Sequence, residues 1–178
     1  MIAIISGTNR PGSNTRKVVA QVEALYKKQN TVTSLIDLAN LPPGIFDPGS
    51  YGEKPAAFKP FSDGVLQADG LVIVTPEYNG GMPGILKYFI DMLKFPESFE
   101  TKPVCFIGLA AGSWGALRPV EQLQQIFSYR NAHIYPKRVF LPGINGLLDD
   151  DGGFTDEELV GRLEGQAKGF IDFVNRLK

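Results

Sequence analysis

The sequence predicts an α/β fold: a parallel sheet of five strands with helices on both faces. Short β-branched or apolar runs alternate along the chain with longer stretches whose apolar residues recur at helical spacing. Five such runs occur, and parallel strands need crossover connections whose handedness places helices on both sides of the sheet. With 178 residues and 43% hydrophobic content, the chain suffices for one well-cored domain, taken as residues 1–178.

The first strand is Met1 to Ile5. Val18, Val19, Val22, Leu25 and Tyr26 then mark one face of a helix that Ser13 or Asn14 caps. Thr31 to Leu38 reads as the second strand and Leu71 to Thr75 as the third. The long connection between them contains "NLPPGIFDPGSYGEKP", a Pro/Gly-rich lid or surface excursion. Ile85, Leu86, Phe89, Ile90 and Leu93 form the stripe of a helix that Pro83 can begin. Val104 to Ala110 is the fourth strand, and Val120, Leu123, Ile126 and Phe127 mark the helix after it. Ile134 to Leu141 is a fifth strand broken by Pro136, which suits a sheet edge. Thr155 and Glu158 make a capping box for a last helix with the stripe Leu159, Leu163, Ala167, Phe170, Ile171 and Val174.

Composition narrows the function classes. Lys plus Arg number 18 and Asp plus Glu 19, so no basic excess points to nucleic acid and no acidic excess to a solvating tail. Cys105 is the only cysteine and cannot form an internal disulfide, and no signal-peptide pattern opens the chain. No apolar run approaches the roughly 18 residues of a membrane span. The expectation is a soluble, cytoplasmic protein that binds neither nucleic acid nor membrane.

In parallel sheets ligands bind outside the carboxyl ends of the strands, where strand order reverses. The loop after strand one, "SGTNRPGSNTRK", leads into a helix N-terminus and carries Thr8, Arg10, Ser13, Asn14 and Thr15. Free amides and the helix dipole attract an anion there, hydroxyls donate to it, and Arg10 can pair with it bidentately. Gly7 and Gly12 have P-loop spacing, but Ser13-Asn14 stands where Lys-Ser/Thr should be, and Gly-x-Gly-x-x-Gly is missing. A mononucleotide phosphate is the natural guest. The loop after strand three, "PEYNGGMPG", offers Pro76, Glu77, Tyr78, Asn79 and Gly80 for close approach to a flat ring, and reads equally as a rigid connection. The loop after strand four, "LAAGSWGALRP", adds Gly112, Ser113, Trp114 and Gly115, either as apolar cover for a ring or as a packing Trp at a helix start. Together the three loops suggest FMN.

The segments "GTNRPGSNT", "PEYNGGMPGILKYFID" and "AGSWGALR" resemble the three signature segments of the NADPH-dependent FMN reductase family, a flavodoxin-like group that includes chromate and quinone reductases and some azoreductases. The resemblance runs over essentially the whole chain. It implies a flavodoxin-like three-layer sandwich with strand order 2-1-3-4-5, and FMN at the interface of a homodimer or homotetramer. It also implies two-electron transfer from NADPH or NADH to quinones, azo dyes, metal ions or free flavin. Carried over, Thr8, Arg10, Ser13, Asn14 and Thr15 hold the phosphate, Pro76 to Gly80 line the isoalloxazine, and Gly112 to Gly115 close its other edge. FMN carries the chemistry, so no side chain is assigned as an obligatory acid or base. Tyr88-Phe89, Met92 and Ala116 depart from the pattern, where relatives often have Asn-Ala, Trp and Gly. Those positions fall on helices that the family uses for dimer contacts. The alternative is a flavodoxin-type electron carrier between proteins, a class that looks strongly acidic where this chain is near neutral.

His133 lacks clustered ligands, Cys105 reads as core, and Lys87 with Asp91 reads as a helix-surface ion pair. "LLDDDGGF" fails the EF-hand pattern, since counting from Asp149 puts Gly153 fifth and Val160 twelfth.

Overall fold

The computed structural model of the protein describes residues 1–178. Its strands are β1 (Ile2–Ser6), β2 (Thr33–Asp37), β3 (Gly70–Pro76), β4 (Pro103–Ala110), β5 (His133–Ile134) and β6 (Val139–Pro142). Its helices are α1 (Asn14–Lys28), α2 (Lys59–Gln67), α3 (Gly84–Met92), α4 (Leu117–Tyr129) and α5 (Glu157–Arg176). The sheet has the order β2-β1-β3-β4-β5, and β6 also pairs with β4. Every pairing is parallel. This is the flavodoxin-like arrangement.

The predicted fifth strand is present in two pieces. His133 and Ile134 pair with the start of β4, Val139 to Pro142 with its end, and Pro136 lies in the gap. Buried Gln166 of α5 spans the break: its Nε2 donates to the carbonyls of Phe106 at 3.0 Å and Lys137 at 2.9 Å. A side-chain amide thus replaces ladder bonds that the interruption removes.

Strand periodicity sorts the core into two layers. Ala3, Ile5, Leu71, Ile73, Val104 and Phe106 pack with α2, α3 and α4 residues such as Val65, Leu86, Phe89, Val120 and Phe127. Ile2, Ile4, Val72, Val74, Cys105 and Ile107 face α1 and α5, meeting Val18, Val22, Leu163, Phe170 and Val174. Burial on both faces explains why these strands read as continuous apolar runs. No helix is long and apolar enough to cross a membrane.

Three details differ from the sequence reading. The connection after β2 is a chain of short 3-10 turns ending in α2, a helix that the apolar spacing does not mark. Pro60 lies in the first turn of α2, and Val65 is its one buried residue, so its apolar stripe is thin. Pro83 is the cap of α3 rather than its first residue, with φ −56° and ψ 134°. Asp156, not Thr155, caps α5, its Oδ1 accepting from the Glu158 and Leu159 amides. Thr155 is held back because its amide donates to Leu147 O, next to the Leu148–Phe154 bridge.

Phe89 and Met92 are buried in the chain's own core. Tyr88 is half-buried: its hydroxyl donates to Ile45 O at 2.7 Å, and its ring lies 5.2 Å from Phe46 and 6.1 Å from Tyr51. The departures at 88 and 89 therefore fasten the segment after β2 onto α3.

Candidate functional site

The carboxyl ends of β1, β3 and β4 open on a cleft of about 380 Å³. The sheet order reverses between β1 and β3, where the first strand's connection leaves toward α1 and the third's toward α3. Two loops diverging from neighbouring strands leave space that no side chain fills.

One end of the cleft is the entry to α1, lined by Arg10, Pro11, Gly12, Ser13, Asn14 and Thr15. Ser13 caps the helix, its hydroxyl accepting from Arg16 N at 3.3 Å. The amides of Gly12, Ser13, Asn14 and Thr15 donate to no protein acceptor. Arg10 is the one cation in the lining. Free amides, the positive end of a 15-residue helix and a guanidinium together suit an anion. Arg16 takes no part, being paired with Asp37 at 3.2 Å and Glu23 at 3.5 Å.

The other end is the turn after β3. Tyr78 and Gly81 exchange both backbone hydrogen bonds, at 3.0 and 3.1 Å, with Asn79 at φ 53° and Gly80 at φ 76° between them. Two positive φ values make this a type I′ turn, and Asn-Gly is the dipeptide that adopts it at least cost. Tyr78 is held from below, its hydroxyl 2.8 Å from Thr8 Oγ1, which also accepts from Arg10 N at 3.2 Å. The anion end and the turn are thereby joined through two side chains. Gly7 lets the loops come this close: its amide donates to Val74 O at 2.9 Å, and a Cβ there would stand 2.7 Å from that oxygen.

Glu77, the one carboxylate in the lining, pairs through Oε1 with Arg118 Nη1 at 3.0 Å. Its Oε2 is buried without a partner, as is Ser6 Oγ at the end of β1. Buried acceptors normally find donors, so Glu77 Oε2 is an unmatched acceptor beside the cleft.

Of the residues expected from sequence, Arg10, Ser13, Asn14, Thr15, Pro76, Glu77 and Tyr78 line the cleft. Thr8 lies beneath it through Tyr78, and Asn79 and Gly80 form the exposed turn tip. Gly112, Ser113 and Trp114 do not line it but extend the exposed loop beyond Ala111, with Trp114 62% exposed. Gly115 is buried against the β6 backbone, where a Cβ would stand 2.9 Å from Leu141 N. The next residue, Ala116, is left-handed at φ 69° with no glycine to ease it.

Sequence reasoning missed Ile144 and Asn145, which close the anion end. Asn14 Nδ2 donates to Asn145 Oδ1 at 2.9 Å, and Gly143 N donates to Gly112 O at 3.3 Å. Both residues follow the last strand on the same sheet edge, so applying the edge rule to every strand would have found them. No group of three or more His, Cys, Asp or Glu is placed to hold a metal ion.

The profile of the family described as NADPH-dependent FMN reductase matches residues 1–145. A quinone reductase of Escherichia coli K12 is 31% identical, the alignment covering 99% of this chain and 96% of that protein. An NAD(P)H-dependent FMN reductase of Pseudomonas aeruginosa is 28% identical over 98% of this chain and 95% of its own. Among solved structures, the flavoenzyme NAD(P)H:(acceptor) oxidoreductase FerB of Paracoccus denitrificans superposes with a TM-score of 0.83 at 23% identity, covering 98% of this chain and 97% of that one.

Proposed function

The chain belongs to the NADPH-dependent FMN reductase family, and from that premise we propose that the cleft holds FMN between the α1 entry and the Tyr78–Gly81 turn. One observation carries the placement: free amides and Arg10 stand at one end, and the orphaned Glu77 Oε2 at the other. FMN presents an anionic phosphate at one end and a ring N–H at the other, so its groups complement those at the two ends of the cleft.

Thr8, Arg10, Ser13, Asn14 and Thr15 hold the phosphate, the arginine by a bidentate pair and the rest by amide or hydroxyl donors, Thr8 by fixing the loop. Pro76, Glu77, Tyr78, Asn79 and Gly80 support the isoalloxazine. Gly112, Ser113 and Trp114 border its open edge, and Gly115 lets that loop turn back against β6. When bound, FMN supplies the two-electron relay that takes hydride from NADPH or NADH and delivers electrons to an acceptor, a proton from solvent completing the reduction. The protein groups keep the ring fixed and one of its sides dry.

The reading extends to a small-molecule acceptor of the quinone or azo class, to residues 1–178 as one FMN-binding domain in the cytoplasm, and to a homodimer or homotetramer. Names of relatives support the acceptor class: one is a quinone reductase, another an NADPH azoreductase. The test is to add FMN to the purified protein and follow NADPH and NADH oxidation with and without a soluble quinone, while light scattering reports the assembly. Quinone-dependent oxidation that needs both FMN and protein is expected. Oxidation no faster than free FMN supports would sink the proposal.

A further inference from the structure

The turn that meets the ring is tied to α4 at both ends. Arg118 and Gln122 are four residues apart and so share one face of α4. Arg118 Nη1 donates to Glu77 Oε1 at 3.0 Å, and Gln122 Oε1 accepts from the Met82 amide at 3.0 Å. The turn runs between these points and along the two side chains. A Cβ on Gly80 would lie 4.0 Å from Arg118 Cδ, and one on Gly81 3.4 Å from Gln122 Oε1.

The internal bonds of the turn fix its shape. They say nothing of where it sits relative to the cleft: the Thr8–Tyr78 contact and the bond from Glu77 N to Leu109 O at 3.1 Å hold it on the sheet side, and the two bonds from α4 hold it on the helix side. Arg118 also decides which carboxylate oxygen stays free: it occupies Oε1, and Oε2 is left buried and unpaired. An unpaired buried acceptor is costly to keep, and a ligand donor removes the cost. Both residues are exposed on the helix surface, Arg118 by 53% of its side chain, so the core of α4 does not depend on them.

We propose that Arg118 and Gln122 are positioning residues for the flavin ring, clamping the Glu77–Met82 turn at its two ends and leaving Glu77 Oε2 to accept a ring N–H. The clamp rests on the cleft being an FMN site. It acts on the ring end alone, which separates it from the phosphate residues.

The experiment titrates apo protein with FMN and with riboflavin, which has the same ring and no phosphate, reading the quenching of flavin fluorescence. Arg118→Met weakens both ligands about tenfold, the scale of one charge-assisted hydrogen bond, and leaves the ratio of the two dissociation constants at its wild-type value. Arg118→Lys restores part of the loss, and Gln122→Met weakens both ligands severalfold. Arg10→Ala, by contrast, weakens FMN and spares riboflavin. Thermal melts of each apo variant separate misplacement from unfolding, and if Arg118→Met fails to fold, Gln122→Met carries the same test. Wild-type affinity for both flavins in the Arg118 and Gln122 variants overturns the clamp, and so does a loss confined to FMN. Wild-type protein that binds neither flavin overturns the proposed function itself, and the clamp with it.

Discussion

Thr8 and Tyr78 join the two ends of the site through one hydrogen bond, and breaking it is expected to loosen both. The hydroxyls stand 2.8 Å apart across the boundary between β1 and β3, with Thr8 1% exposed and Tyr78 half-buried. Tyr78→Phe removes the bond and keeps the ring. A neutral hydrogen bond of this kind contributes about 1 kcal/mol net, which lowers the melting temperature of a chain of this size by about 2–4 °C. Because the bond preorganises the cleft, FMN affinity should also fall, by about fivefold for the same free energy. Thr8→Val additionally strips Arg10 N of its acceptor, so it should cost more than Tyr78→Phe. Urea denaturation of the apo forms of both single variants and the double variant gives a double-mutant cycle, and FMN titration gives a second. A coupling of about 1 kcal/mol is expected in stability, with the sign that marks the pair as favourable. Additive effects to within about 0.3 kcal/mol would refute the view that this contact unites the two loops.

Three further outcomes follow from the packing. Gly7→Ala places a Cβ 2.7 Å from Val74 O in the central strand pair, and should destabilise by about 1–3 kcal/mol, as overpacking does; a melting temperature equal to wild type in calorimetry would count against the close approach of the loops. Cys105 is fully buried, burial pushes its thiol far up, and alkylation by iodoacetamide should proceed only in denaturant, whereas rapid native labelling would contradict the buried assignment. Lys102 donates to Leu66 O at 3.3 Å and Ala68 O at 2.6 Å, and burial lowers its pKa against the opposing pull of Asp69. The unfolded chain then binds the extra proton between the lowered value and the ordinary one of about 10.4, so stability relative to Lys102→Met should rise as pH climbs through that window and be lost again as pH drops back through it to below the folded value; parallel pH dependences in urea melts would refute it.

Much of this fold was legible because its strands are buried on both faces and its helices carry wide apolar stripes. Val72 to Val74 and Ile107 to Leu109 could hardly be anything but central strands, and Leu159 to Val174 hardly anything but a packed helix. The Asn-Gly dipeptide announced its turn for the same reason that it forms it: both residues tolerate positive φ. α2 escaped notice because it contains Pro60 and Gly64, both poor helix formers in sequence, and few of its residues reach the core. The cap of α5 went to Asp156 because the Leu148–Phe154 bridge, a contact made only in three dimensions, commits Thr155 elsewhere. In the cleft, the residues after β1 and β3 stand where the edge rule puts them, whereas Gly112, Ser113 and Trp114 after β4 do not line it. Pairings made only in three dimensions could not be read from the chain: Asn145 follows a strand end, but its bond to Asn14 spans 131 positions, and Arg118, inside α4, meets Glu77 across 41.

A crystal structure of the FMN complex decides whether FMN lies with its phosphate at the α1 entry and its ring on the Tyr78–Gly81 turn. Phosphate oxygens within hydrogen-bond reach of the Ser13, Asn14 and Thr15 amides and of Arg10, and a ring N–H on Glu77 Oε2, are expected. A flavin seated instead in the groove between α3 and α4, bordered by Ile90, Phe99 and Ile126, would contradict this placement.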